Sequence, residues 1–554
     1  MKKFIPSIYQ QAIADFVLQV GKKINLIIQA VAGSGKTTTI VWLVSLLSST
    51  KTILFLAFNK AIAVELTTRL ATYRNAQAKT FNSLGHGVWT RYIGKRFIML
   101  KPNKSQRILW DMFPSEKGED GKFKQHPTVT KYGNFVTRLV GLAKNEGIGC
   151  LVPNELEQWQ ALIAKHDLTL DHKDATQEKG IELAQAVFAE SIAQGRNVID
   201  FDDQLFLPIF HGAKFPRFDF VLVDEFQDTN KVQQAILVQL LEHGGQMVAV
   251  GDTHQAIYGF RGADAEAMQR ARDTFNCHEL PLSVSYRISK AVCAYAQKFV
   301  AHITTPDNAP QGKVKTLASY TRDMFKSTDA IICRNVAPLV AFAYACIAQG
   351  ISVKILGRKI GEDLAKLITK LAEGKTSSID TLLDLISEYR NREVTRLTSK
   401  GDALKAEGIN DTCDCIVFLI DNLTESNRTL AGLIASIDNL FTDHNAGRLT
   451  LCTAHKSKGL EFPRVFILDK DTLMPSKYAT QDWQIEQEKN LIYVAATRAM
   501  LELYFITSGQ WTDKRSTTPS ATITPPAMKN VIPVNVAPAS PIDEANRWDI
   551  ETMD

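Results

Sequence analysis

Short, unbroken apolar runs recur along the chain, separated by longer stretches whose apolar positions fall three and four residues apart. Thr52-Ile53-Leu54-Phe55-Leu56-Ala57-Phe58, Gln246-Met247-Val248-Ala249-Val250, Ala330-Ile331-Ile332-Cys333, Val465-Phe466-Ile467-Leu468 and Leu503-Tyr504-Phe505-Ile506 lack polar alternation. Such runs fit strands covered on both faces. The stretch Ile40-Val41-Trp42-Leu43-Val44, after the run Ile24 to Ile28, reads as a helix. Strand followed by helix, repeated, predicts an α/β fold with parallel sheets. From Leu84 to Gly195 the pattern turns mainly helical, which predicts an inserted helical domain. The chain is expected back in the sheet at Ile199-Asp200-Phe201-Asp202-Asp203-Gln204.

Length and composition add bounds. At 554 residues the chain exceeds one core, and ~150 residues per domain suggests about four units. Hydrophobic content of 45% and charged content of 22% are those of an ordinary globular protein. No apolar run approaches the ~18 residues of a membrane span, and MKKFIPSIYQQ lacks the apolar core of a signal peptide. Neither a membrane nor an export route is expected. The eight cysteines form no framework, and Cys413 and Cys415 have no second pair nearby. Free thiols in a reducing, intracellular compartment are the reading. A net charge of +5 permits a polyanionic partner without requiring one.

Chemistry enters at Ala30 to Thr39, AVAGSGKTTT, between the first strand and its helix. Glycines there let the backbone wrap around phosphate oxygens, and the helix N-terminus points at negative charge. Ala32, Gly33, Ser34, Gly35, Lys36, Thr37 and Thr38 are therefore the candidate ATP-binding loop. Lys36 would reach the β- and γ-phosphates, and the Thr37 hydroxyl would ligate Mg²⁺. The strand Phe218 to Val223 ends in Asp224-Glu225. Asp224 would hold Mg²⁺ and Glu225 would take a proton from the attacking water; the competing reading is a pair of helix N-caps. Gln255, after the next strand, is a γ-phosphate contact, and Tyr258, Phe260 and Arg261 follow it as a platform for unpaired bases. Gln10, upstream of the loop, is either an adenine contact or a helix-surface residue. YIGKRFIMLKPNKSQR in the helical insertion is either a strip for phosphates or a solvated face.

AGSGKTTT, VDEFQD, GDTHQAIYGFRGA, SYR, TAHKSKGLEF and LIYVAATRA stand in this order, and with Gln10 the motifs run to Arg498. The set resembles the UvrD/Rep-like superfamily 1 DNA helicases, leaning to the branch that includes the F-box-containing DNA helicase. The resemblance implies two RecA-like P-loop NTPase lobes with parallel sheets, each carrying a mainly helical insertion. Residues 1–83 and 196–277 would form the first lobe and 84–195 its insertion. Residues 278–357 and 448–508 would form the second lobe and 358–447 a small insertion, with 509–554 a disordered tail. It further implies a DNA-stimulated ATPase that uses ATP and Mg²⁺. Its track would be single-stranded DNA, including single/double-strand junctions, travelled 3′ to 5′ by a single cytoplasmic chain.

Roles follow by position. Tyr286 would stack on adenine, while Arg287 and Arg498 would touch the γ-phosphate. Gly459 and Glu461 would face the ribose and phosphates, and His455 the strand. Phe58, Asn59, Thr80, Phe81, Tyr258, Phe260 and Arg261 match single-strand contacts.

Three departures qualify the match. Phe260 stands where Trp is usual, Thr38 stands where Arg is usual, and the insertion 358–447 is about half the size typical of relatives. The last keeps open an ATP-gated DNA clamp without processive unwinding. The Pro-, Ser- and Thr-rich end, closing on an acidic segment with Trp548, is either a partner-binding peptide or a frayed tail.

Overall fold

A computed structural model describes residues 5–19, 23–117, 123–166, 168–170, 172, 174–242, 244–257, 267–373, 376, 378–399, 401–442 and 448–512. The first strands are β1 (Leu26–Ala30), β2 (Ile53–Ala57) and β3 (Ala76–Thr80). Every residue of β2 is buried, as its unbroken apolar text requires. A mainly helical unit follows, with two short strand pairs formed by β4 (Met99–Leu100), β5 (Glu116–Lys117), β6 (Phe123–Lys124) and β7 (Val198–Ile199). The chain then supplies β8 (Phe220–Val223), β9 (Gln246–Gly251) and β10 (His278–Leu282). The first large sheet has the order β10-β1-β9-β8-β2-β3, and its pairings are all parallel.

The second lobe uses β11 (Lys313–Thr316), β12 (Ala330–Cys333), β13 (Val353–Ile355), β14 (Leu449–Thr453), β15 (Phe462–Leu468) and β16 (Ala499–Ile506). Its order is β11-β16-β15-β12-β14-β13, again parallel throughout. Between β13 and β14 the described residues form the α-helices Arg358–Ala372, Ile379–Thr398, Ala403–Asp421 and Leu430–Leu440. This insertion docks on the lobe through Asp411, whose two carboxylate oxygens accept the Val336 and Ala337 N–H groups at 2.8 Å each. A carboxylate at the N-terminus of the helix Val336–Ala348 is favourably placed in the helix dipole. The lobes meet in an apolar cluster that joins Val31, Ala32 and Ile257 to Ala330, Ile332 and Tyr493.

Several expected boundaries move. The chain does not re-enter the large sheet at Ile199: β7 pairs with β4 inside the helical unit, and the sheet resumes only at Phe220. The carboxylates after β7 turn inward instead. Lys144 Nζ lies 2.6 Å from Asp200 and 2.7 Å from Asp203, and Lys104 Nζ lies 2.6 Å from Asp203. Both lysines are buried, so this cluster is part of the helical unit's core. Strand β10 still belongs to the first sheet, which carries that lobe past residue 277 to Leu282.

The expected tail starts too early as well. Tyr320 pairs with Trp511, whose ring lies 4.9 Å from Tyr320 and 5.5 Å from Phe325. Residues 509–512 thus pack on the second lobe, and the rest of the tail lies outside the described residues. Among the described residues no helix is long and apolar enough to cross a membrane, and no cluster of His, Cys, Asp and Glu could hold a metal by itself.

Candidate ATP site and single-strand edge

The loop after β1 turns at Gly33 (φ 72°) and Gly35 (φ 78°), both left-handed, and the helix Lys36–Leu46 begins at once. Gly33 is demanded twice. Beyond its backbone, an added Cβ would stand 2.5 Å from Arg287 Cβ and 2.7 Å from Ser285 Oγ. The Tyr286 N–H also donates to the Gly33 carbonyl at 2.9 Å. The segment following β10 is therefore pressed against the phosphate loop.

The acid pair ends β8. The Thr37 hydroxyl donates to Asp224 Oδ2 at 2.8 Å, and Asp224 Oδ1 accepts the Glu225 N–H at 2.9 Å. Glu225 has φ 51°, a left-handed value that is strained for a non-glycine residue, at roughly 1–3 kcal/mol. That backbone aims its carboxylate at Lys36 Nζ, 3.0 Å away, and Gln227 Nε2 donates to the same carboxylate at 2.5 Å. Burial, and then the Glu225 charge, push the Asp224 carboxyl up to about 6. Burial also raises Glu225, but the Lys36 and Lys458 charges outweigh it and draw that carboxyl down. Lys36 and Glu225 are thus each other's partner, although each was expected to face the nucleotide.

The residues fit ATP and Mg²⁺ on observation. A hydroxyl and a carboxylate side by side, Thr37 and Asp224, are the hard oxygen donors that Mg²⁺ takes. Around the loop, Ser34 Oγ, Ser285 Oγ and Arg287 Nη1 are buried without hydrogen-bond partners. A donor-rich pocket of that kind suits a polyanion.

Other expected contacts have local partners. Gln255 is buried and donates to Asp252 Oδ2 at 2.6 Å. Gln10 is buried, not on a helix surface: it accepts the Ser7 N–H at 2.9 Å in a capping box and donates to Thr39 Oγ1 at 2.8 Å. Thr38 Oγ1 accepts Arg69 Nη2 at 3.3 Å, which brings a guanidinium from the helix Lys60–Arg69 against the start of the helix Lys36–Leu46. Tyr286 is half-exposed, free to present its ring.

From the second lobe, Arg287 pairs with Glu461 at 2.5 Å, and Gly459 makes an exposed left-handed turn just before it. Arg498 is fully buried, with its hydrogen bonds to neutral oxygens: Val494 O at 2.9 Å, Leu460 O at 3.1 Å and Thr497 Oγ1 at 3.2 Å. Burial, then the nearby Arg287 charge, pull its guanidinium down to about 9. A buried cation among neutral acceptors is electrostatically suited to an anion. Two residues without an expected role also cross the cleft. The Tyr493 hydroxyl accepts the Ala32 N–H at 2.9 Å, and Lys458 Nζ donates to Asp228 Oδ2 and to the Gln255 carbonyl at 2.7 Å each. Both stand inside motifs that the sequence displays, but nothing local says which side chain will span the lobes.

The edge expected to carry the single strand is only partly assembled as predicted. Phe58 is exposed at the end of β2. Asn59 and Thr80 serve as N-caps, accepting from Ile62 N at 2.9 Å and Ser83 N at 3.0 Å. Phe81 is a correction: it opens the helix Phe81–Ile93 and is buried in the core, so it has no face for a base. Its neighbour Asn82 instead donates at 2.8 Å to the carbonyl of Phe201, a half-exposed aromatic that no motif marks. Nothing in its own sequence signals this exposure, since Asp200 and Asp203 beside it are themselves buried. His455 is half-buried after β14. Tyr258, Phe260 and Arg261 lie outside the described residues.

Residues 13–276 match the UvrD/REP helicase N-terminal domain, and residues 269–510 match the UvrD-like helicase C-terminal domain. The ATP-dependent DNA helicase PcrA of Staphylococcus epidermidis (strain RP62A) is 23% identical over 621 aligned residues, covering 87% of this chain and 81% of that protein. PcrA of Staphylococcus aureus (strain Mu50) is 22% identical, covering 86% and 80%. Among solved structures, an arterivirus nonstructural protein 10 (helicase) aligns at 12% identity with a TM-score of 0.31, covering 87% of this chain and 59% of that one. That score is too low to bear on the fold.

Proposed function

Because the chain belongs to the UvrD/REP helicase family, we propose that it is an ATP-dependent DNA helicase that moves 3′ to 5′ along single-stranded DNA and separates strands at junctions. The observation that carries this reading is the meeting of Arg287 with the phosphate loop at Gly33, beside the buried Arg498. A phosphate-binding loop and strand-end acids on one lobe, faced by guanidinium groups of the other, make hydrolysis depend on cleft closure. Both lobes belong to one chain, which supports a monomeric motor.

In this reading Thr37 and Asp224 would hold Mg²⁺, which would supply neutralising charge beside the phosphates. Lys36 leaves Glu225 to hold phosphate oxygens, and the freed Glu225 orients the attacking water and accepts its proton. Arg287 and Arg498 stabilise charge on the transferring phosphoryl group. Tyr286 offers its half-exposed ring to the adenine. Phe58 and Phe201, with the platform at 258–261, stack on successive bases. Opening and closing of the cleft then alternate the grip of the lobes on the strand.

The test is ATP turnover with and without oligo-dT, beside strand displacement on 3′- and 5′-tailed duplexes. Stimulation with displacement from the 3′ tail alone is expected. Displacement from the 5′ tail would overturn the polarity, and turnover indifferent to DNA would overturn the motor.

A further inference from the structure

The insertion between β13 and β14 has no core apart from that of the lobe that carries it. Its buried Ile368, Ile416 and Ile437 fall in one apolar cluster with Leu339, Phe342 and Phe466 of the second lobe. Charge crosses the same seam. Arg334, directly after β12, grips Glu488 of the helix Asp482–Ala496: Nε donates to its two carboxylate oxygens at 3.1 and 2.9 Å, and Nη2 to one of them at 2.8 Å. Arg334 Nη1 lies 3.7 Å from Glu407, which stands on the insertion helix Ala403–Asp421. Ser476 closes the ring, its N–H donating to Glu488 at 2.9 Å and its hydroxyl to Glu407 at 2.6 Å. Asp411, one turn beyond Glu407, makes the paired contact with Val336 and Ala337 described above. The side chains of Arg334, Glu407 and Glu488 are only 13%, 12% and 3% exposed, so solvent screens this ring little.

We infer that the small insertion is a fixed buttress of the second lobe, and that Arg334 is the positioning residue through which it holds the helix leading to Arg498 for ATP hydrolysis. A unit that swings as a separate body has a core of its own and a modest, polar interface. Here the core is shared. A buried charge stripped of its partner is costly, so Arg334 stays with its two carboxylates as the lobes move. Glu488 lies five residues before Tyr493, whose hydroxyl accepts the Ala32 N–H of the phosphate loop, and ten before Arg498. A sideways shift of the helix at Glu488 therefore misplaces both groups at the cleft. Toward the helical unit of the first lobe the insertion offers a different kind of contact. Arg396 Nη1 donates to the Leu170 carbonyl at 2.9 Å, while the apolar clusters on the two sides stay separate. Such a hydrogen bond opens with the cleft, and the ring at Arg334 does not. The inference rests on the role proposed for Arg498.

The experiment uses the full chain with Glu407→Gln, which keeps shape and removes the insertion's charge, and Arg334→Lys, which keeps charge and loses the planar fork. The kcat and KM for ATP are read at saturating oligo-dT, in the wild-type and in the Arg498→Ala background. In the wild-type background kcat should fall roughly tenfold or more, the scale for a misplaced group, with KM within about twofold. In the Arg498→Ala background neither substitution should lower kcat further, because both act through the same guanidinium. Wild-type kcat in both variants would overturn the inference, as would an equal fall in the two backgrounds, the mark of a general loss of structure. Energy transfer gives the second readout, with fluorescent amino acids at the exposed positions Ser426 of the insertion, Lys315 of the second lobe and Arg74 of the first. On adding a non-hydrolysable ATP analogue and oligo-dT, the 426–315 distance should hold while the 426–74 distance changes. A changing 426–315 distance would overturn the buttress. If Arg498→Ala alone turns over at the wild-type rate, the proposed role of Arg498 fails, and that result is distinct from either.

Discussion

Lys36 Nζ stands 3.0 Å from both carboxylate oxygens of Glu225, so the cation of the phosphate loop and the acid at the end of β8 neutralise one another across the ATP site. In the proposed motor each leaves the other before it acts. The left-handed backbone at Glu225 keeps its carboxylate aimed into the site when the lysine departs.

Glu225→Gln removes the proposed base and leaves an amide that can still bond Lys36. Turnover should fall by ~10²–10⁴-fold, the usual worth of a general base, with nucleotide binding retained. Steady-state turnover beside equilibrium binding of a fluorescent ATP analogue checks this; unchanged turnover would remove Glu225 from the chemistry.

Arg498→Lys should not rescue what Arg498→Ala loses. The guanidinium reaches three separate oxygens, a spread of donors that a single ammonium does not reproduce. Both variants should lose on the order of 10³-fold in kcat, the lower end for an arginine acting on a phosphoryl group. A lysine variant at wild-type rate would sink this role.

The aromatics of the strand edge should divide by burial. Phe58→Ala and Phe201→Ala should each weaken oligo-dT binding by ~1–3 kcal/mol, that of a base–aromatic stack, at unchanged stability. Phe81→Ala should instead destabilise by ~3–5 kcal/mol as a core truncation. Binding titrations and denaturant melts on the same three variants separate the cases.

Asp202 gives a pH prediction. Burial first, then the Asp200 charge, raise its carboxyl from 3.8 to about 7, with Asn145 Nδ2 at 3.4 Å as its hydrogen-bond donor. The folded state thus holds a proton that the unfolded state releases near the ordinary carboxylate range. Between about pH 4 and pH 7 the unfolded state binds fewer protons, so this group's contribution to stability falls as pH rises and levels off above 7. Asp202→Asn should be more stable than wild type at pH 8 and equal to it near pH 4, as denaturant melts at each pH would show. A constant difference would refute the titration.

Truncation tests the boundary of the tail. Ending the chain after Thr512 should leave ATPase intact, because Trp511 keeps its contacts with Tyr320, Phe325 and Phe342. Ending it after Ser508 should lower the melting temperature, as should Trp511→Ala. The loss should be smaller than the ~3–5 kcal/mol of a fully buried aromatic, since Trp511 is only partly covered.

The chain's text by itself determined the parallel-sheet lobes, the phosphate loop and the acids that end β8. These are contiguous devices: a glycine-permitted turn, a helix N-terminus and a strand end carry their chemistry in neighbouring residues, so reading them needs no partner. It could not determine which half of an ambiguous residue wins. Gln10 could be surface or site until Ser7 and Thr39 claimed its amide. Phe81 and Phe201 are both aromatics near a polar edge, and only packing decided that the first fills the core while the second faces outward. Trp511 looked like tail until Tyr320 met it from 191 residues away. Tyr493 and Lys458 are joined to the first lobe by contacts with residues more than 200 positions distant. Periodicity states which face of an element is covered; it does not state by what, because that depends on how two lobes settle against each other.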